Sequence, residues 1–147
     1  MIRTAVSNDI SALLNVENTS FVSDRISRRS FRYLLTQANA LTLVDEEDDQ
    51  LRGYVNLLFR KNASFARVYS IATHPDYLGR GVAAGLVIAA EHAARERNCA
   101  TMRLEIRKDN DASIQLFQSH GYRIFGEYLV YYEDGMDAFR LEKSLTE

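Results

Sequence analysis

The chain has one cysteine, one proline and no tryptophan in 147 residues. A lone Cys99 cannot close an internal disulfide, and no Cys/His cluster has metal-ligand spacing, so a disulfide scaffold and a metal centre are excluded. Cys99 is expected to pack beside the strand that follows it. The formal net charge is only −2 and the basic residues are scattered, which argues against a nucleic-acid partner. No apolar run approaches membrane length, and the opening Met1-Ile2-Arg3-Thr4 leads into no signal-type apolar segment. Those two absences predict no membrane partner and a cytoplasmic location. Repeats, low-complexity tracts and linkers are absent too, so residues 1–147 are read as a single domain large enough for its own core.

What is present is organised around Val68 to Ala94. This stretch reads as a strand (Val68 to Thr73), a breaker (His74-Pro75-Asp76), a turn carrying Gly79 and Gly81, and a long helix with Leu86, Ala89, Ala90 and Ala93 on one face. Two glycines where a helix begins allow a tight turn and leave backbone N–H groups facing outward, which suits an anion and above all a phosphate. Three readings fit the turn. It is a plain left-handed entry into a helix; or it is a dinucleotide site, since Gly79-x-Gly81-x-x-Ala84 matches G-x-G-x-x-G/A; or it is a loop for another phosphate-bearing cofactor. The dinucleotide reading wants its glycines directly after the strand, whereas His74 to Leu78 intervene. A P-loop is excluded because no Gly-Lys-Ser/Thr follows.

Before this stretch lie a short strand at Ile2 to Ala5, then a helix capped by Ser7 with Ile10, Leu13, Leu14 and Glu17 at helical spacing. A polar irregular segment at 18–26 precedes a second helix near Ser27 to Ala38, with Phe31, Leu34 and Leu35 inward. Strands at Ala40 to Val44 and Tyr54 to Phe59 flank an acidic run, Asp45 to Asp49, expected as a solvated hairpin tip. After Asn98 come a strand, Thr101 to Arg107, and a helix, Ala112 to His120, closed by Gly121 in a position suited to the left-handed region. The pattern predicts an α+β fold: a mixed, mostly antiparallel sheet of about six to seven strands, flanked by about four helices, with one strand–helix–strand crossover over 68–106. Antiparallel edge strands of this kind suit a homodimer.

Two motifs carry a resemblance. Leu78-Gly79-Arg80-Gly81-Val82-Ala83 resembles the acyl-CoA pyrophosphate loop Q/R-x-x-G-x-G/A of the Gcn5-related N-acetyltransferase (GNAT) superfamily, with Leu78 where Gln or Arg is usual. Asn110-x-x-Ser113-Ile114-x-Leu116-Phe117-x-x-x-Gly121-Tyr122 resembles its second signature, N-x-x-A-I-x-L-Y-x-x-x-G-F. The tail, Tyr131-Tyr132-Glu133-Asp134-Gly135-Met136-Asp137-Ala138, is similar to the ending of the subgroup that holds ribosomal-protein alanine acetyltransferases and the catalytic subunits of N-terminal acetyltransferases. The resemblance implies an acetyl-CoA-dependent N-acetyltransferase with the GNAT-like three-layer fold. In it, the backbones of Ile71, Ala72 and Thr73 would hold the pantetheine arm and polarise the thioester. Gly79, Arg80, Gly81, Val82, Ala83 and Ala84 would hold the pyrophosphate, with Asn110 and Phe117 along the arm. Phe21, Asp24 and Arg28 in the first helix–loop–helix region would face the acceptor, with a plain surface and packing role as the alternative, and so would Tyr131 and Tyr132 in the tail.

Transfer to an amine needs a base, because an α-amine with a pKa of about 8 is mostly charged at neutral pH. Glu105 sits inside an apolar strand, where an unpaired carboxylate is costly without a partner or a function. Alternation places it on one face with Arg103 and Arg107, so a cross-strand ion pair competes with the base role; the resemblance puts Glu105 at the subgroup's base position. His74 is a distant second candidate. Phe117 stands where the family's tyrosine acid is usual, and Tyr128, Tyr131 and Tyr132 are the nearest phenols by motif. The implied acceptor is a protein or peptide N-terminal α-amine. A small amine (polyamine, amino acid or amino sugar) and a non-catalytic acyl-CoA-binding module are the alternatives.

Overall fold

The computed structural model describes residues 1–146. Seven strands form one sheet in the order β1-β2-β3-β4-β5-β7-β6: β1 Ile2–Thr4, β2 Ala40–Glu47, β3 Gln50–Phe59, β4 Phe65–Thr73, β5 Thr101–Arg107, β6 Arg123–Tyr128 and β7 Ala138–Ser144. Every pairing is antiparallel except β4 with β5. Four α-helices pack on the sheet: α1 Ile10–Ser20, α2 Arg28–Thr36, α3 Val82–Glu96 and α4 Asp111–Ser119. The parallel pair is joined through α3, the crossover that such a pair requires.

Alternation along the strands builds two cores. Leu43, Val55, Val68, Met102, Leu104 and Ile106 face α3, with Leu86, Val87, Ala90 and Ala94 meeting them. Val44 and Tyr54, each one residue out of step, face the other way onto Leu13, Val16, Phe31 and Leu34 of α1 and α2. Phe31 meets the Tyr54 ring edge-on at 5.6 Å, a geometry that adds to the area buried. Buried Cys99 closes the α3 side ahead of β5, and burial pushes its thiol up. The first core covers the sheet along its length. The second covers only the β2–β4 half, so the outer face of β5, β7 and β6 carries no helix among the described residues.

Two local expectations are corrected, and one strand is added. Ser7 does not cap α1; Asp9 ties the entry instead, accepting the Val6 N–H at 2.7 Å and both Arg3 guanidinium nitrogens at 2.8 and 2.9 Å. Its bidentate partner holds the Asp9 carboxyl below the usual range. The acidic run is a solvated tip only from Glu47 onward. β2 and β3 stay paired to Glu47↔Gln50, and only Asp48 and Asp49, at φ 50° and 61°, make the turn, the backbone a two-residue hairpin needs. Asp45 is buried there, bonded to Arg52 at 2.7 Å. A strand at Arg123–Tyr128 is added, and Tyr131 and Tyr132 fall in the loop after it.

Gly53 is a close-packing position. A Cβ there would lie 2.7 Å from the Ala72 carbonyl oxygen and 3.0 Å from Val82 Cγ1. Gly53→Ala is expected to lower stability by about 1–3 kcal/mol, read as a fall in melting temperature of roughly 2–4 °C per kcal/mol. The shift of β4 at Ala72 should also weaken acetyl-CoA binding in a titration. Unchanged melting and binding would show that the β3–β4–α3 junction is loose.

Candidate active site

The pairing of β4 with β5 runs from Phe65↔Thr101 to Val68↔Leu104 and then stops. Beyond it the two strands part, leaving the β5-facing backbone groups of 69–73 without a ladder. A bulge starts the parting. On β3, Leu57 pairs Val68 and Asn56 pairs Ser70, so Tyr69 is an extra residue that bends β4 away. The gap opens into a cleft of about 740 Å³.

Ile71, Glu105, Asn110, Phe117, Tyr131 and Tyr132 all line this cleft. Ala72, Thr73 and residues 79–84 lie beyond it, at the end of β4 and the entry of α3. There Gly79 and Gly81 both have φ +77°, which a side-chain-bearing residue adopts at a cost. A Cβ at either would meet nothing within 4 Å, so the turn is open on its outer side. Gly81 caps α3 with no side chain. The first N–H groups of the helix, at 82–84, therefore have no intrahelical acceptor and carry the positive end of the helix dipole. The Arg80 guanidinium lies over the Tyr77 ring at 5.4 Å beside them. An uncovered strand edge followed by an open, donor-rich turn fits a long thioester ending in a pyrophosphate.

Glu105 is nearly buried, at 10% side-chain exposure. The ion pair it makes is not with Arg103 or Arg107 on its own strand. Arg67 of β4 donates to Oε1 at 2.7 Å through Nε, and the Tyr131 hydroxyl approaches the same oxygen at 3.5 Å. Arg67 also donates to Tyr131 at 2.9 Å. All contacts fall on Oε1; Oε2 has no hydrogen-bond partner among the described residues. Arg103 instead leans on Glu142, and Arg107 grips Asp134 at 2.7 Å.

That second grip shapes the loop over residues 129–137. Asp134, held below the usual carboxylate range by Arg107 and by the Met136 N–H, anchors one side. The Val130 N–H donates to Asp137 at 2.8 Å, and the Tyr131 and Tyr132 N–H groups donate to the Met136 carbonyl at 3.1 Å. Val130 sits at φ 52°, a conformation costly for a β-branched side chain. The result aims both tyrosines into the cleft. Burial pushes the Tyr132 hydroxyl up to about 12 and raises Tyr131 as well.

Opposite this loop, Phe21 and Asp24 line the cleft, whereas Arg28 reaches Ser11 on α1 at 3.4 Å and does not. His74 also stays out; its Nδ1 accepts the Asp76 N–H at 3.1 Å. The Asn110 carboxamide oxygen caps α4 by accepting the Ser113 N–H at 3.2 Å. Phe117 is fully buried, edge-on to Tyr122 at 5.1 Å.

The sequence missed Glu17 and Arg67. Glu17 is 1% exposed. It accepts the Ile26 N–H at 2.7 Å and the Tyr54 hydroxyl, and that hydroxyl also meets Ser70 Oγ at 2.8 Å. Burial raises its carboxyl. A glutamate at a core-facing helical position was the available signal. For Arg67 there was none, because its partner stands 38 residues away.

A strand pair that parts over an open glycine turn is the decisive geometry, and the comparisons agree with it. The Acetyltransferase (GNAT) family model matches residues 8–122. The chain belongs to this family. It is therefore an acetyl-CoA-dependent N-acetyltransferase. A Bacillus subtilis (strain 168) protein, provisionally assigned as a ribosomal protein bS18-alanine N-acetyltransferase, is 28% identical over 140 residues, covering 95% of this chain and 91% of that one. The crystal structure of the ribosomal-protein-S18-alanine N-acetyltransferase from Escherichia coli superposes with a TM-score of 0.89 at 22% identity, covering 100% of this chain and 94% of that one. A provisionally assigned acetyltransferase from Salmonella typhimurium, solved with its cofactor acetyl-CoA, gives 0.80 at 21% identity, covering 100% and 94%. No helix of the described residues is long and apolar enough to cross a membrane.

Proposed function

We propose that this family member acetylates the α-amine of a protein or peptide N terminus, and that Glu105 takes the proton the amine must lose. The observation that carries the base role is the divided carboxylate: Oε1 is held by Arg67 and Tyr131, while Oε2 is left for the amine or a bridging water. Ion pair and base are then one arrangement, with Arg67 fixing the rotamer. The named relatives, one provisionally assigned as a ribosomal protein bS18-alanine N-acetyltransferase and one solved as a ribosomal-protein-S18-alanine N-acetyltransferase, support the choice of acceptor.

In the proposed step the ammonium gives one proton toward Glu105. The nitrogen lone pair attacks the thioester carbonyl, the C–N bond forms, the C–S bond breaks, and the second proton leaves the nitrogen for the departing sulfur or for water, giving the neutral amide. Acetyl-CoA supplies the acetyl group. Backbone N–H groups along 71–73 would face the carbonyl oxygen, the loop at 79–84 would hold the pyrophosphate, and Asn110 and Phe117 would line the arm between them. The sulfur leaves as a thiolate. A thiol pKa of about 8.5 makes it a fair leaving group, so a phenylalanine at 117 is compatible with turnover. Tyr132, protonated at neutral pH, remains in the same cleft.

The test is thiol release from acetyl-CoA with peptides beginning Ala, Ser and Met, set beside a polyamine and free amino acids. Turnover on peptides supports the reading, with the acetyl group located on the α-nitrogen by mass spectrometry. Turnover on small amines alone would move the acceptor to that class.

A further inference from the structure

A second cleft, of about 510 Å³, meets the first at Arg67, Glu105 and Tyr131 and runs across the helix-free outer face of the sheet. Its lining is strongly one-signed: Arg60, Arg67, Arg103 and Arg140 stand against the single carboxylate of Glu105. Arg67 is committed to that carboxylate. Arg60, exposed at the end of β3, makes no ion pair among the described residues. Arg103 makes a long 3.4 Å contact to Glu142 Oε2, while Arg123 holds the other oxygen of that carboxylate at 2.6 Å.

Arg140 has no carboxylate partner among the described residues, and its Nε is buried without a hydrogen bond. Aromatic rings hold it instead. Its guanidinium lies 4.6 Å from both the Phe125 and Tyr128 centroids, and Arg103 lies 4.7 Å from Phe65. A bulge between Ile124 and Gly126 makes Phe125 the extra residue on β6, turning its ring toward these arginines. Ring faces hold a guanidinium in place without cancelling its charge. The cleft is thus a fixed positive field that starts beside Glu105 and runs away from it.

We propose that this cleft binds a negatively charged group borne by the acceptor, a carboxylate for a peptide, so that the preferred N termini carry acidic residues directly after the reacting amine. The inference rests on the acceptor reading above and adds its charge class. The amine is drawn to Glu105 while its acidic side chains meet Arg60, Arg103 and Arg140. A basic second or third residue would face those arginines with like charge.

The experiment compares Ala-Glu-Glu, Ala-Gln-Gln and Ala-Lys-Lys peptides as acceptors for wild type, Arg60→Gln and Arg60→Gln/Arg103→Gln. The Glu peptide is expected to exceed the Gln peptide by about tenfold in kcat/KM, through KM, and the Lys peptide to be poorest. Both ratios should shrink as salt is raised, since exposed charges are screened, and the double variant should bring them near one. A parallel titration with acetyl-Ala-Glu-Glu and acetyl-Ala-Lys-Lys in the presence of CoA reads binding without turnover. Equal kcat/KM for the three peptides, or an equal loss for all three in the variants, overturns the inference and leaves the transferase reading intact. Where no peptide turns over, the titration decides. Tighter binding of the Glu product, lost in Arg60→Gln, upholds the anion site while the peptide-acceptor reading fails; equal binding of both products overturns the site.

Discussion

Glu105→Gln should lower kcat by about 10² to 10⁴-fold, the range removed with a positioned general base. Gln keeps the size of the side chain and an oxygen for the Arg67 Nε–H, so the geometry at Oε1 survives; what is lost is the ability to take a proton at the other end. The KM for acetyl-CoA should change little, because Glu105 is outside the 71–73 and 79–84 backbone proposed to hold it. Initial rates of thiol release across pH separate the two roles of this residue. A base role predicts that the slowed variant stays slow until pH approaches the amine's own pKa of about 8, where free amine becomes abundant. A purely structural ion pair predicts that Arg67→Gln and Glu105→Gln lose activity together, each through lower stability. The pair is partly exposed at Arg67, so its loss should cost only about 1 kcal/mol. A Gln variant retaining more than a tenth of wild-type kcat would sink the base assignment.

The second large effect concerns Glu17. Glu17→Ala removes the acceptor of the Ile26 N–H and of the Tyr54 hydroxyl, both deep between α1 and β3. The Ile26 N–H is then unpaired, at a cost of about 1–3 kcal/mol, while the Tyr54 hydroxyl keeps Ser70 Oγ as a partner; urea unfolding would measure the loss. Ile26 closes the segment that carries Phe21 and Asp24 over the cleft, so KM for the acceptor should rise as well. Glu17→Gln keeps one acceptor and sheds the charge, which separates hydrogen bonding from ionisation. Burial raises the carboxyl above its unfolded value of 4.5, so the folded chain holds that proton more tightly than the unfolded one. This contribution is complete below pH 4.5 and is lost as pH rises through the raised folded value. Wild type should therefore lose stability relative to Glu17→Gln between mildly acid and neutral pH. Asp9, held low by Arg3, acts in the opposite sense below its unfolded value of 3.8, and it is common to both proteins. Parallel stability curves for the two would show that Glu17 has no raised carboxyl.

The sheet, the crossover helix and the glycine turn before it were legible in the chain alone, for local reasons. Two glycines before an apolar helix dictate a left-handed entry, and alternation in Thr101–Arg107 assigns Glu105 to the face opposite Leu104 and Ile106. A motif that spans turn and helix survives as a string because its chemistry is mostly backbone. The rest depended on pairs far apart in sequence. Whether Glu105 meets Arg103, Arg107 or Arg67 depends on where the parallel register with β4 ends, and single-strand alternation cannot contain that. The whole acidic run read as solvated because five consecutive acidic residues look like surface, yet Arg52 reaches Asp45 and Arg3 reaches Glu46 only after three strands pair. Glu17 looked like one more helical position until Ile26 and Tyr54 closed over it. The arginine cleft draws its residues from the end of β3 and from β4, β5 and β7, with aromatic walls turned by a bulge on β6. Spacing along the chain determines which face a side chain takes; only strand order and register determine which charges meet there.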